Sequence, residues 1–128
     1  AYCHIGTTPD GGASFQLPRS VGTKKAMEIA LLGERYDAET AKSLGIVNFV
    51  TKPEELADET QKLAKRLSLG PTHVYANTKK LIYQSMGNDF ETQLQMEADL
   101  FADCASRHDF KEGVTAFVEK RKANFKGN

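Results

Sequence analysis

Cysteine is scarce in this chain. Cys3 and Cys104 are the only two, separated by most of its length and without CxxC spacing, which argues against a disulfide scaffold and a cysteine zinc site and leaves both as small buried or half-buried side chains. A surplus of one charge is missing as well. Seventeen acidic and seventeen basic side chains give a formal net charge of zero, so no global field draws the chain to nucleic acid. No apolar run approaches the ~20 residues of a membrane span, so no membrane partner is expected. There is no internal repeat, low-complexity tract or long linker. His4, His73 and His108 have no metal-ligand spacing and no carboxylate at an offset that would make a triad, so each reads as a surface or half-buried histidine and no metal is expected.

Two motifs begin and are not completed. Gly6 to Gly12 opens like a phosphate-binding loop, but Ala13 stands near the place of the Lys and Ser/Thr that would reach a phosphate and its magnesium. Gly12-Ala13-Ser14-Phe15-Gln16 opens like a nucleophile elbow and lacks the closing glycine.

What is there is a carboxylate at a loop-to-helix junction. Pro9 fixes its own φ and pushes Thr8 out of the α region, Asp10 is a good N-cap, and Gly11 and Gly12 allow close approach to the backbone. Pro18 is expected to stop the short helix after about two turns, and Arg19 to pin the turn that follows. By itself an aspartate ahead of two glycines is ordinarily a capped turn.

The remainder reads as consecutive helices. Ala1 to Ile5 fits the end of a strand. Thr23 caps a helix carrying Ala26, Met27, Ile29, Ala30 and Leu31 and ending at Gly33, and Asp37 caps Ala38 to Leu44 with Gly45 as the stop. Ile46 to Val50 is β-branched and aromatic and predicts a short strand. Pro53 opens a helix with Leu56, Leu63 and Leu67 on its inner face as far as Gly70. From Pro71 to Gly87, Val74, Thr78, Leu81 and Ile82 share a face. Asp89 starts a helix with Phe90, Leu94 and Phe101, and Lys111 to Phe125 gives a last one with Val114, Phe117 and Val118. Lys111, Lys120, Arg121, Lys122 and Lys126 make this end basic, which is either a solvated helix face or an anion contact. Helices with broad apolar faces and little sheet need partners.

The run Ile5-Gly6-x-x-Pro9-Asp10-Gly11-Gly12, followed by Leu17-Pro18-Arg19-x-Val21-Gly22, resembles the enoyl-CoA hydratase/isomerase (crotonase) superfamily. Ala26-Met27-Glu28 through Leu32-Gly33-Glu34-Arg35, Ala38 to Val50 and Lys111 to Arg121 fit it in the same order. The resemblance implies an α/β crotonase-like (ClpP/crotonase) fold, of which this chain would be the mainly α-helical C-terminal half with one or two short strands. Residues 1–50 would be the end of the core with the active-site turn, and 51–128 a helical oligomerisation region. The chain opens at Ala1 in mid-motif and not on methionine, and family members are roughly twice as long, so a fragment or proteolytic product with little activity of its own is expected.

The resemblance further implies an acyl-CoA thioester substrate, no cofactor (CoA being part of the substrate), a homo-oligomer (trimer or hexamer), and a cytoplasmic, mitochondrial or peroxisomal setting. Asp10 falls on the acidic position of the isomerase branches, where one carboxylate takes a proton from the acyl chain and returns it two carbons along. The hydratase branch has a glutamate eight residues earlier, and here that position is Tyr2. The run Ala116 to Phe125 looks closer to hydratases. Tyr2 and Gly11 are expected beside the acyl group. Phe101 falls on an aromatic that contacts adenine and Lys120 on a lysine near the same moiety, with core packing and a solvated surface lysine as the respective alternatives. Isomerase is the reading preferred. A hydratase, or a non-catalytic helical trimerisation or CoA-binding module, is the alternative.

Overall fold

The computed structural model describes residues 2–128 and resolves them into two compact units, divided between Glu55 and Leu56. Seven α-helices and two short 3-10 turns account for the described elements, and no strand occurs among them.

The first unit begins with a 3-10 turn over Tyr2–Ile5, where the end of a strand was expected; Ala1 lies outside the described residues. Helix α1 spans Ala13–Val21 and α2 Thr23–Leu32, and the two pack on each other across the single residue Gly22. Gly22 serves as C-cap of α1 and N-cap of α2 at φ 78°, ψ 157°, a corner that only glycine takes easily, so the expected Thr23 cap is not formed. Pro18 does not end α1. It removes one backbone donor in mid-helix, yet the helix runs on to Val21 because its packing on α2 outweighs that local preference. Arg19 pins the helix itself: its guanidinium donates to the Phe15 carbonyl at 2.8 Å and lies 3.5 Å from the centre of the Phe15 ring.

Helix α2 ends at Gly33 in the left-handed region, φ 64°. The 3-10 turn leans on that end. The His4 ring nitrogen Nε2 lies 3.2 Å from the Gly33 carbonyl, and a Cβ built at Gly33 would stand 2.6 Å from His4 Nε2 and 2.7 Å from Cys3 Sγ. Helix α3, Ala38–Ser43, is capped as its sequence predicts, with the Thr40 N–H donating to Asp37 Oδ1 at 2.8 Å. The strand predicted at Ile46 to Val50 is not formed. Beyond α3 the Ile46 and Val47 N–H groups both turn back to the Ala41 carbonyl, at 2.9 and 3.4 Å. Among the described residues there is no strand to pair with, and Phe49 is left 73% exposed.

The second unit holds α4 (Leu56–Ser68), α5 (Thr72–Ser85), α6 (Phe90–Ala105) and α7 (His108–Val118), with α5 packed on α6 and α6 on α7. A 3-10 turn over Pro53–Glu55 leads into α4, whose Leu56, Leu63 and Leu67 are all exposed. Asp89 caps α6 through the Thr92 N–H at 2.7 Å. The last helix begins earlier and ends sooner than its sequence suggests. Lys120, at φ 55°, takes the left-handed position that usually falls to glycine, and the Arg121 N–H closes the end on the Ala116 carbonyl at 3.0 Å.

The segment after α7 therefore folds back along it. Asp109 is 4% exposed and accepts from the N–H groups of Lys126 (2.8 Å) and Gly127 (2.7 Å), while its own N–H donates to the Asn128 carbonyl at 2.9 Å. Arg121 donates to both oxygens of Glu112, at 2.7 and 3.0 Å, and the Asn124 N–H reaches the same carboxylate at 2.8 Å. Of the basic residues at this end, Arg121 is thus neither on a solvated helix face nor available to an external anion: it is engaged by Glu112 and Glu119. Buried side chains are few. Ala26, Ala116 and Asp109 are the ones among the described residues, and Phe117 is 84% exposed. No described helix is long and apolar enough to cross a membrane.

Candidate functional site

The turn carrying Asp10 is built by its two glycines. The Ala13 N–H donates to the Asp10 carbonyl at 3.0 Å, with Gly11 at φ 59° and Gly12 at φ 84°. Two successive positive φ values define a type I′ turn, which side chains with a Cβ resist. Gly12 consequently becomes the N-cap of α1 in place of Asp10, and the Asp10 side chain is released from capping. Its carboxylate turns instead to Tyr2, whose hydroxyl donates to Asp10 Oδ1 at 2.5 Å. That bond and the carboxylate's charge raise the Tyr2 phenol above its ordinary value, so the tyrosine stays protonated and remains a donor.

Tyr2 forms part of the wall of a cavity of about 390 Å³ whose other walls include Pro9, Ala13, Leu17, Met27 and Ala30. Apolar side chains dominate this lining, which suits an acyl chain more than a polar head group. The structure thus brings Tyr2 and Asp10 together in the first unit; Tyr2 and Pro9 line the cavity, whereas Asp10 and Gly11 are exposed and are not part of its wall, Asp10 being joined to it through the Tyr2 hydroxyl. The signal for the Tyr2 bond was the separation of Tyr2 from Asp10 across a Gly-Pro turn, and sequence alone did not reveal it as a contact.

Phe101 and Lys120 belong to the second unit. Phe101 is 68% exposed and meets Phe110 edge to face, ring centres 6.3 Å apart, so it is not a core residue of this chain. Lys120 is exposed, and no ion pair holds it among the described residues.

Sequence reasoning missed a second cluster. His73 Nε2 lies 2.5 Å from Asp103 Oδ2, Asn77 donates to that oxygen at 2.9 Å and to Cys104 Sγ at 3.4 Å, and Arg107 donates to Asp103 Oδ1 at 2.8 and 3.2 Å. Two i,i+4 pairs, His73 with Asn77 on α5 and Asp103 near the end of α6 with Arg107 just ahead of α7, were the legible signal. Ligand atoms of His73, Asp103 and Cys104 lie within 4.8 Å of one another, as a metal site would require. The Arg107 guanidinium, however, occupies one oxygen of the same carboxylate, and the Asn77 amide occupies the other together with the sulfur. Arg107, then His73 and Asn77, hold the Asp103 carboxyl well below the usual carboxylate range. The cluster is a closed ion-pair network that ties α5 to α6.

The chain belongs to the enoyl-CoA hydratase/isomerase family, whose model matches residues 1–128. It is similar to 1,2-epoxyphenylacetyl-CoA isomerase of Escherichia coli K12, at 38% identity over 99% of this chain and 48% of that protein. It is also similar to crotonyl-CoA hydratase of Syntrophomonas wolfei, at 41% identity over 94% of this chain and 46% of that one. A solved enoyl-CoA hydratase from Polaromonas sp. JS666 superposes with a TM-score of 0.91 at 32% identity, over 98% of this chain and 49% of that structure. The fold is therefore crotonase-like, represented here by its helical part, and the chain spans about half the length of the curated relatives it matches.

Proposed function

We propose that the protein containing this chain is an acyl-CoA isomerase in which Asp10 carries the migrating proton. The observation that supports this most is the geometry at the cavity: one carboxylate hydrogen-bonded to a tyrosine that lines an apolar space, with that phenol, and no second acid, eight residues before it. The carboxylate removes a proton from the α-carbon of a 3-enoyl thioester, and the C–H electron pair becomes the enolate. Two backbone N–H groups hold the enolate oxygen. The same proton then returns to the γ-carbon as the double bond moves into conjugation, and Asp10 is a carboxylate again. Those two N–H donors are assigned to the part of the family's length outside residues 1–128, so the isolated chain has little or no turnover.

Phe101 and Lys120 would hold the adenine and a phosphate of CoA, by stacking and by charge. Their alanine variants should raise KM for the CoA ester and leave KM for the same acyl group on pantetheine unchanged. The exposed apolar helix faces favour a homo-oligomer, a trimer or hexamer, in a soluble compartment. A hydratase that takes its acids from elsewhere is the second reading, favoured by the similarity to a crotonyl-CoA hydratase. Assay of the complete gene product and its Asp10→Asn variant on 3-enoyl-CoA and 2-enoyl-CoA separates the two. The isomerase reading expects a loss of about 10²–10⁴-fold in conversion of the 3-enoyl ester. Wild-type protein that hydrates the 2-enoyl ester and ignores the 3-enoyl one would sink it.

A further inference from the structure

We infer that Tyr2 is the positioning residue for Asp10: its hydroxyl holds one carboxylate oxygen and so leaves the other as the single acceptor of the migrating proton. This rests on the proton-shuttle reading and adds to it the group that aims the shuttle. The donor distance of 2.5 Å falls in the range of a charge-assisted O–H···O⁻ bond, the strong kind. Among the described residues no other donor reaches the Asp10 side chain, so without Tyr2 an exposed carboxylate on a two-glycine turn would be free to rotate.

Both partners are anchored by backbone. Tyr2 sits on a 3-10 turn closed by the Thr7 N–H on the Tyr2 carbonyl at 3.2 Å and braced on Gly33 through His4; Asp10 sits on the type I′ turn closed by Ala13. Tyr2 also lines the cavity, so the residue that aims the carboxylate borders the space an acyl chain would fill. The proton balance is simple. The Tyr2 O–H bond is not broken at any step; Asp10 Oδ2 takes the α-proton and returns the same proton to the γ-carbon. A fixed carboxyl returns its proton before exchanging it with water, whereas a rotating one exposes it.

The test is Tyr2→Phe in the complete gene product, beside wild type and Asp10→Asn, with 3-enoyl-CoA deuterated at the α-carbon and mass spectrometry of label at the γ-carbon. Tyr2→Phe should lower kcat about 10–100-fold, the scale of misorienting a reacting group, with KM within about twofold, and should lower the fraction of label transferred. Wild-type kcat and label transfer in Tyr2→Phe would overturn the inference while an inactive Asp10→Asn keeps the shuttle. A raised KM with unchanged kcat would overturn it too, making Tyr2 a binding residue only. An Asp10→Asn enzyme as fast as wild type would remove the shuttle and this inference together.

Discussion

Each unit contains an aspartate with a ring-bearing partner 2.5 Å away, and the two are used differently. In the first unit Asp10 has Tyr2 on one oxygen and nothing among the described residues on the other. In the second, Asp103 has Arg107 on one oxygen and His73 with Asn77 on the other, and Asp109 and Glu112 are likewise filled by backbone N–H groups or arginine. A carboxylate whose acceptor sites are all occupied holds helices together and has no capacity left for a substrate proton. One with a vacant oxygen, exposed and hydrogen-bonded to a tyrosine of the cavity wall, contributes little to packing and has acceptor capacity left over.

The sharpest way to break this contrast is to neutralise each aspartate in turn. Asp10→Asn should reduce turnover of the complete gene product by about 10²–10⁴-fold while its Tm stays at the wild-type value. Asp103→Asn should do the reverse, lowering Tm with kcat little changed. Kinetics and thermal melts on the two variants read both halves, and a Tm loss in the first or a rate collapse in the second would erase the distinction.

A smaller effect is expected where the second unit secures its last segment. Asp109→Ala leaves the Lys126 and Gly127 N–H groups without their acceptor, at a cost of about 1–3 kcal/mol. Hydrogen exchange at those two amides should speed up before the helices open; unchanged protection would mean that Asp109 is not what holds them.

The smallest effect is reached with acid. Burial pushes the Asp109 carboxyl up, but the Lys126 and Gly127 N–H bonds and His108 bring it below its ordinary value on balance. Arg121, then the Asn124 N–H, holds Glu112 down to about 2 against an ordinary 4.5. A carboxyl depressed in the folded state stabilises it above the unfolded value and loses that contribution as pH falls through the folded one. The end segment should therefore loosen between pH 4.5 and about 2, and amide exchange of Asn124 and Lys126 followed down that range checks it. Loosening that sets in above pH 4.5 would point to some other group.

Helices were legible in the sequence where local chemistry decides them. Asp37 and Asp89 cap as predicted, and Gly33 and Gly45 stop their helices, because a cap is made by residues within one turn of each other. Two of the failures involved partners. Ile46 to Val50 has strand composition and no strand to join, and Pro18 is tolerated because α1 lies against α2. Asp10 was legible as an acid on a glycine turn, but its release from capping was not, since that depends on Gly12 taking the cap. The Tyr2 bond and the His73–Asp103 network needed coordinates: the first crosses a turn of unknown path, and the second joins residues 30 apart.

Gly33 shows how far the choice of residues around the cavity is constrained. It lies outside the cavity wall, yet it has no room for even a methyl group, because His4 and Cys3 occupy that volume. The 3-10 turn that presents the Tyr2 phenol is thus seated directly on the end of the helix that contributes Met27 and Ala30 to the cavity. Anyone resizing the cavity through α2 will be moving the platform under the phenol as well, so pocket volume and the placement of the Tyr2 hydroxyl are inherited together and cannot be tuned as independent traits.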